Sequence, residues 1–354
     1  MLGNRKLIVD AFCEVKEFTE TFEDAKFYDF STEDPEPRTI YLISRQQFTA
    51  NIERIKQLAQ AGTILPILGN PAEGSDTMLR QLESLGIVDL VRQRKIMLVV
   101  GGYMQADIPF LYHENFLPKI LDYDENLLAI AEYQAQYSTT RPYKFLFLNG
   151  RAREHRRQLL VDLKPLLDSA IWSNLDGTHG DPIKLLDPEY EFNFYRNNTK
   201  LTQSGFVKYE LFNNDWGEIY LNPRPYLDTY FSLVTETVFD YPYSFRTEKI
   251  WKPIAIGHPF IVASNYGYYR DLQDIGFKTF SHVIDESFDR IENNQDRLKR
   301  IVQIVGDLCQ QDLASFLNEC YNVCKYNQQH LSEMSIKVRQ EFPDRFVQFL
   351  EKYF

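Results

Sequence analysis

Hydrophobic residues in the first hundred positions alternate between short unbroken runs and runs spaced three or four residues apart. Residues 6–11 (KLIVDA) and 39–44 (TIYLIS) are short, apolar and rich in β-branched side chains, so they read as buried strands. Residues 47–60 place Phe48, Ile52, Ile55 and Leu58 on one helical face. A strand returns at 63–68 (TILPIL), where Pro66 suggests an edge or bent strand because proline cannot donate to a ladder. Residues 76–85 are helical, and 95–100 (KIMLVV) form a continuous apolar strand ending at Gly101-Gly102. This β–α–β rhythm predicts a parallel sheet with helices on its faces.

A mostly helical passage over 118–142 ends in Ser138-Thr139-Thr140-Arg141-Pro142, a linker-like string. A second α/β unit then begins, with a strand at 143–148 (YKFLFL), a turn at Asn149-Gly150 and a helix over 154–167. Residues 176–230 are polar and rich in Asn, Asp and Pro, which predicts loops and short elements. Order resumes with a strand at 231–235, a helix over 247–256 and a strand at 259–263. A helix over 268–275 and a short strand at 279–283 complete the unit. From residue 290 onward the pattern is helical, with stripes at Ile291, Leu298, Ile301, Ile304, Leu308 and then Leu313, Phe316, Leu317, Tyr321.

The pattern predicts an α/β protein of two Rossmann-like domains facing a cleft, with C-terminal helices. An N-terminal α/β acceptor-side domain spans 1–140 and a C-terminal α/β domain spans 141–310; helices at 311–354 pack on or between them. Ligands of open α/β sheets sit at the carboxyl ends of the strands, so chemistry is expected in the loops after Val100, Leu148 and Thr235.

Composition narrows the classes. The chain has 354 residues, which suits two cores, and its hydrophobic and charged fractions of 44% and 25% are those of a folded globular protein. A net charge of −11 opposes wholesale binding of nucleic acid, leaving Arg153 to Arg157 as the local cluster that could touch a phosphate backbone. No apolar run reaches the roughly 18–20 residues of a membrane span, and no signal-peptide core is visible, so a cytoplasmic protein is expected. Cys13, Cys309, Cys320 and Cys324 lack zinc-ligand spacing and read as reduced thiols.

Two clusters carry candidate chemistry. Asn149-Gly150-Arg151-Ala152-Arg153-Glu154-His155-Arg156-Arg157 follows an apolar strand and opens a helix. A helix N-terminus offers unpaired N–H groups and positive potential, and arginine matches phosphate oxygens in a planar fork. Cations at that end are unfavourable unless an anion arrives. The second cluster is Val234-Thr235-Glu236 with Phe245-Arg246-Thr247-Glu248-Lys249-Ile250-Trp251-Lys252-Pro253. Thr247 suits an N-cap; Arg246, Lys249 and Lys252 would surround a diphosphate, and Glu248 would accept from ribose or sugar hydroxyls.

Residues 245–254, followed by His258-Pro259-Phe260-Ile261-Val262, resemble the donor-binding region of fucosyltransferase-like glycosyltransferases, with their Thr-Glu-Lys helix start before an apolar strand. Related glycosyltransferase-like proteins of bacteria and phages are similar further along the chain. Their pattern matches Leu148-Asn149-Gly150-Arg151 with His155-Arg156, Ser232-Leu233-Val234-Thr235-Glu236, Gly276-Phe277-Lys278-Thr279-Phe280 and Ile284-Asp285-Glu286-Ser287-Phe288-Asp289. The resemblance covers roughly residues 143–305.

It implies a GT-B glycosyltransferase that moves a sugar from a nucleotide-sugar donor to an acceptor hydroxyl, with the donor held mainly by the C-terminal domain. The donor-binding set would be Arg151, Arg153, His155, Glu236, Arg246, Thr247, Glu248 and Lys249, with Lys249 on the diphosphate and Glu248 on ribose or the donor sugar. Arg246 stands where many relatives carry an apolar or small residue. Such enzymes need no metal, since cationic side chains and a helix N-terminus stabilise the leaving diphosphate. Asp122-Tyr123-Asp124 is the one Asp-x-Asp string, in a helical, linker-like region, and Gly69 to Gly74 reads as a turn.

The catalytic base is expected in loop 101–116, as Glu114 first and Asp107 second. The acceptor stays open between glycan, small molecule and macromolecule. Two rival classes remain: a nucleotide- or glycan-binding relative without turnover, and a phage-type transferase acting on DNA bases.

Overall fold

The computed structural model describes residues 7–10, 26–28, 34–70, 75–102, 107–177, 179–187, 189–190, 199–201, 207–209, 219–241 and 243–353. Cys13, residues 71–74 of the expected glycine-bearing turn and residues 103–106 of the loop before Glu114 lie outside them.

The strands are β1 Leu7–Asp10, β2 Lys26–Tyr28, β3 Ile40–Ser44, β4 Leu65–Asn70, β5 Met97–Val100, β6 Leu111–Tyr112, β7 Tyr143–Asn149, β8 Ala170–Asn174, β9 Thr199–Leu201, β10 Val207–Tyr209, β11 Thr229–Thr235 and β12 Phe260–Ala263. The helices are α1 Arg45–Ala50, α2 Ile52–Gln60, α3 Ser75–Ser84, α4 Val88–Arg92, α5 Phe116–Lys119, α6 Asp124–Ala135, α7 Glu154–Asp162, α8 Arg224–Leu227, α9 Glu248–Ile256, α10 Tyr268–Asp274, α11 Asn294–Leu308 and α12 Leu313–Tyr353. The chain is therefore α/β, of the Rossmann-like class, with two sheets of parallel strands. It divides into two compact units, Met1–Asn115 with Ile336–Phe354, and Phe116–Ser335.

This division falls earlier than the linker-like string at 138–142. Arg141, within that string, is built into the second unit: its guanidinium donates to the carbonyls of Tyr226 and Thr229 and lies over the rings of Tyr133 and Tyr137, at 5.5 and 5.3 Å. A buried guanidinium bonded this way fixes the string.

In the first unit the strand order is β2-β1-β3-β4-β5-β6, all parallel. The period-2 alternation of β3 sends Tyr41 and Ile43 into one core with Phe48, Ile55 and Leu98, and Ile40 and Leu42 into another with Met97 and Val99. Phe342, Phe346, Phe349 and Leu350, near the end of α12, complete this second core. Pro66 lies inside the sheet and not at an edge, since β4 sits between β3 and β5. The Leu65 N–H donates toward β3, to the Thr39 carbonyl, so position 66 faces β5. Pairing with β5 begins only at Ile67, and the missing N–H falls outside that ladder.

In the second unit the order is β12-β11-β7-β8, again parallel. Strand β8 (AIWSN) is an addition to the expected pattern. The helix expected over 154–167 stops at Asp162, because Pro165 opens a 3₁₀ turn over Lys164–Ser169. The strand expected at 279–283 is not formed. Asn327 pairs with both the N–H and the carbonyl of Lys278, and Glu286 accepts from the Phe280 N–H, so side chains take up this backbone. Strands β9 and β10 form a separate antiparallel pair.

Cys309, Cys320 and Cys324 are buried free thiols. Among the described residues, no helix is long and apolar enough to cross a membrane.

Candidate functional site

From β7 the chain runs to the neighbouring β8, and later returns on the other side of β7 to form β11 and then β12. The strand order therefore reverses between β7 and β11, and their carboxyl ends flank the crevice where open α/β sheets bind ligands. Asn149 ends β7 and Thr235 ends β11; the Thr235 hydroxyl donates to Asn149 Oδ1 at 2.9 Å. Asn149 is thus not a turn residue but the last rung of β7, in register with Asn174 of β8.

The first wall of the crevice is the passage from β7 into α7. The Ala152 N–H donates to Asp176 Oδ2 at 2.9 Å, which shapes the loop. Arg153 is the N-cap residue, with extended backbone and no side-chain cap. The basic string then divides by direction. Arg156 is buried, donating through Nη1 to the Arg151 carbonyl (2.9 Å) and through Nη2 to the carbonyls of Thr235 (2.9 Å) and Glu236 (3.1 Å). Burial, then the nearby Arg153, lowers its pKa to about 10, so it stays charged at neutral pH. His155 donates from Nε2 to the Glu236 carbonyl at 3.0 Å and stacks on Phe239 at 5.0 Å. Burial and the Arg156 charge push it down to about 3, which keeps it neutral. Both residues brace β11 against α7. Arg151 and Arg153 are exposed, and Arg157 turns away to pair with Asp181.

The second wall is the passage from β11 into α9. Glu236 has no exposed surface. Its Oε1 accepts from the Thr247 N–H at 3.1 Å and the Tyr268 hydroxyl at 3.0 Å, and its Oε2 from the Thr247 hydroxyl at 2.6 Å. Burial raises its pKa, with Lys249 and Thr247 pulling the other way. Glu236 thus holds the helix start in place, its carboxylate bonded inside the protein.

Thr247 caps α9 by accepting from the Lys249 N–H. Lys249 Nζ reaches Thr247 Oγ1 at 3.2 Å and Glu248 Oε1 at 2.5 Å, and keeps 30% of its side chain exposed. Burial alone would raise the Glu248 carboxyl, but Lys249 and Lys252 outweigh it and hold it ionised below the usual range. Arg246 and Lys252 are buried beside them.

The structure therefore gathers Arg151, Arg153, His155, Glu236, Arg246, Thr247, Glu248 and Lys249 around the ends of β7 and β11. Sequence reasoning missed Tyr268, and it named Asn149, Thr235 and Arg156 only as parts of the two strings, without a role of their own. The signal for Asn149 and Thr235 was their place as the last residues of apolar strands. Six cations (Arg151, Arg153, Arg156, Arg246, Lys249, Lys252) stand against Glu154, Glu236, Glu248 and Asp176, in a chain whose net charge is −11. A local excess of positive charge over two helix N-termini is suited to a multiply charged anion.

The segment 284–289 is structural. Glu286 accepts from Thr279 and Phe280, Asp285 pairs with Arg300, and Asp289 accepts from the Tyr269 and Arg270 N–H groups at the start of α10. Asp122 and Asp124 flank the start of α6, where acids favour the helix dipole. The candidate bases belong to the first unit. Glu114 is buried and accepts from the Tyr112 hydroxyl, whereas Asp107 is exposed.

Comparisons of the chain with models of known protein families, with curated proteins and with solved structures return no match.

Proposed function

We propose that the chain is a metal-independent glycosyltransferase of the GT-B type, resembling the fucosyltransferase-like enzymes, which moves a sugar from a nucleotide-sugar to an acceptor hydroxyl. The observation that carries this reading is the meeting of two helix starts at the β7–β11 crevice, one over buried Arg156 and the other holding Lys249 through Thr247 and Glu248. Positive groups fixed beforehand stabilise the charge that develops on a leaving diphosphate without reorganising during reaction. Lys249, Arg151 and Arg153 meet the phosphates, with Arg246 adding to the field. Glu248, held ionised, accepts hydrogen bonds from ribose or donor-sugar hydroxyls. The acceptor is deprotonated by a carboxylate, for which the sequence offers Glu114 and Asp107.

Lys249→Ala and Arg151→Ala are expected to weaken nucleoside diphosphate binding by about 1.5–3 kcal/mol each, the worth of a charge-assisted hydrogen bond. Calorimetry checks this, and unchanged affinity in both variants sinks the reading. The burial of Glu114 against Tyr112 favours a second reading, a nucleotide-binding module without turnover. Release of nucleoside diphosphate from a panel of nucleotide-sugars and acceptors separates the two: the transferase releases it, and the module binds without release.

A further inference from the structure

We infer that Asn149 seats a phosphoryl oxygen of the bound ligand, through an amide that Thr235 holds in position; this rests on the donor-site reading above. Asn149 is 2% exposed and Arg156 4%, yet Asn149 Nδ2 and Arg156 Nε have no hydrogen-bond acceptor among the described residues. Buried donors are nearly always paired, because an unpaired one forfeits its hydration. Two such donors occur on the two sides of one turn, each on a side chain bonded to Thr235. The Asn149 amide oxygen receives the Thr235 hydroxyl, and the Arg156 Nη2 donates to the Thr235 carbonyl.

The deficit is therefore of acceptors, and it lies at the topological switch point, where a ligand enters. The missing partner is a group rich in acceptor oxygens and tolerant of a neighbouring guanidinium. A phosphoryl group meets both conditions, whereas a neutral hydroxyl supplies one weak acceptor and brings a donor that the cluster does not need. The α7 start adds to the same demand, since Arg153 provides no side-chain cap for the first-turn N–H groups. Asn149 thereby contacts the ligand, and Thr235 is its positioning residue.

The test titrates the full-length protein with inorganic pyrophosphate, uridine diphosphate and guanosine diphosphate by calorimetry. The variants are Asn149→Leu, which removes the amide without adding charge, and the pair Thr235→Val and Thr235→Ser. Asn149→Leu is expected to weaken pyrophosphate and the best nucleotide by the same factor, at least tenfold. Thr235→Val should weaken both at least threefold, and Thr235→Ser, which keeps the hydroxyl, should restore them. Wild-type binding with Asn149→Leu within twofold overturns this inference and leaves the donor site standing. A loss for nucleotide but not for pyrophosphate overturns the phosphoryl assignment. Absence of binding to all three probes by the wild type overturns the donor-site reading and this inference with it. Should Asn149→Leu fail to fold, the Thr235 pair decides: equal affinities for valine and serine overturn the inference, and loss with rescue upholds it.

Discussion

Glu236 shows how one buried side chain can fix the start of a helix. Its carboxylate would be costly to bury alone, and three hydrogen bonds from Thr247 and Tyr268, with Lys249 nearby, offset part of that cost. Thr247 in turn receives the Lys249 N–H and its ammonium, so the lysine is aimed by a chain of contacts running back to β11. Replacing Thr247 by valine removes the helix cap and strips a donor from a buried carboxylate. The expected loss of stability is about 2–4 kcal/mol, the sum of a cap and an unmet buried acceptor. Urea unfolding measures it, and a loss below about 1 kcal/mol would mean the contacts are not structural. Thr247→Ser should retain most of the stability.

Among the elements, α9 is set at both ends. Its start is capped by Thr247, and its stop is Gly257, at φ +81°, whose N–H donates to the Pro253 and Ile254 carbonyls. A Cβ at Gly257 would stand 2.8 Å from Gln328, which is itself held by the Ala255 carbonyl. Gly257→Ala should therefore cost about 1–3 kcal/mol from left-handed backbone and crowding together, read from the unfolding midpoint. A neutral effect would contradict this picture of the stop.

The turn at 277–286 offers a pH test. Burial, outweighing the bonds from Thr279 and Phe280, raises the Glu286 carboxyl from 4.5 to about 7. A raised carboxyl means that the folded state binds the proton more tightly than the unfolded chain. The resulting stabilisation is present below pH 4.5 and is lost as pH rises through 7. Wild type should thus lose stability relative to Glu286→Gln between pH 5 and pH 8, as urea unfolding at the two values would show. A gap independent of pH would contradict it.

At the scale of the whole molecule, periodicity made much of the fold legible and side-chain geometry did not follow from it. The unbroken runs at 39–44, 95–100 and 143–148 foretold β3, β5 and β7, because buried parallel strands need apolar residues on both faces. Strand β8 escaped, since AIWSN ends in polar Ser173 and Asn174 and lacks an unbroken apolar run. The 279–283 strand was expected from the spacing of apolar positions and lost to side-chain bonds from distant Asn327 and nearby Glu286, which no local pattern reveals. The linker at 138–142 likewise gave way to Arg141, whose carbonyl partners lie 85 and 88 residues along the chain. Within the site, the clusters around Arg151 and Lys249 could be read from helix starts after strands. Which basic residues face inward could not, because Arg156 and Arg157 differ only by their angle around α7.

The central claim is that the ends of β7 and β11 form a nucleotide-sugar site. A thermal-shift screen of the wild-type protein against nucleoside diphosphates and their sugars tests it most directly. A ligand at one hundred times its dissociation constant stabilises a protein by about 2.7 kcal/mol, enough for a shift of several degrees. Such a shift is expected with at least one nucleoside diphosphate, and in Lys249→Ala it should fall to about half or less. No shift with any member of the panel, or an equal shift in Lys249→Ala, would contradict it.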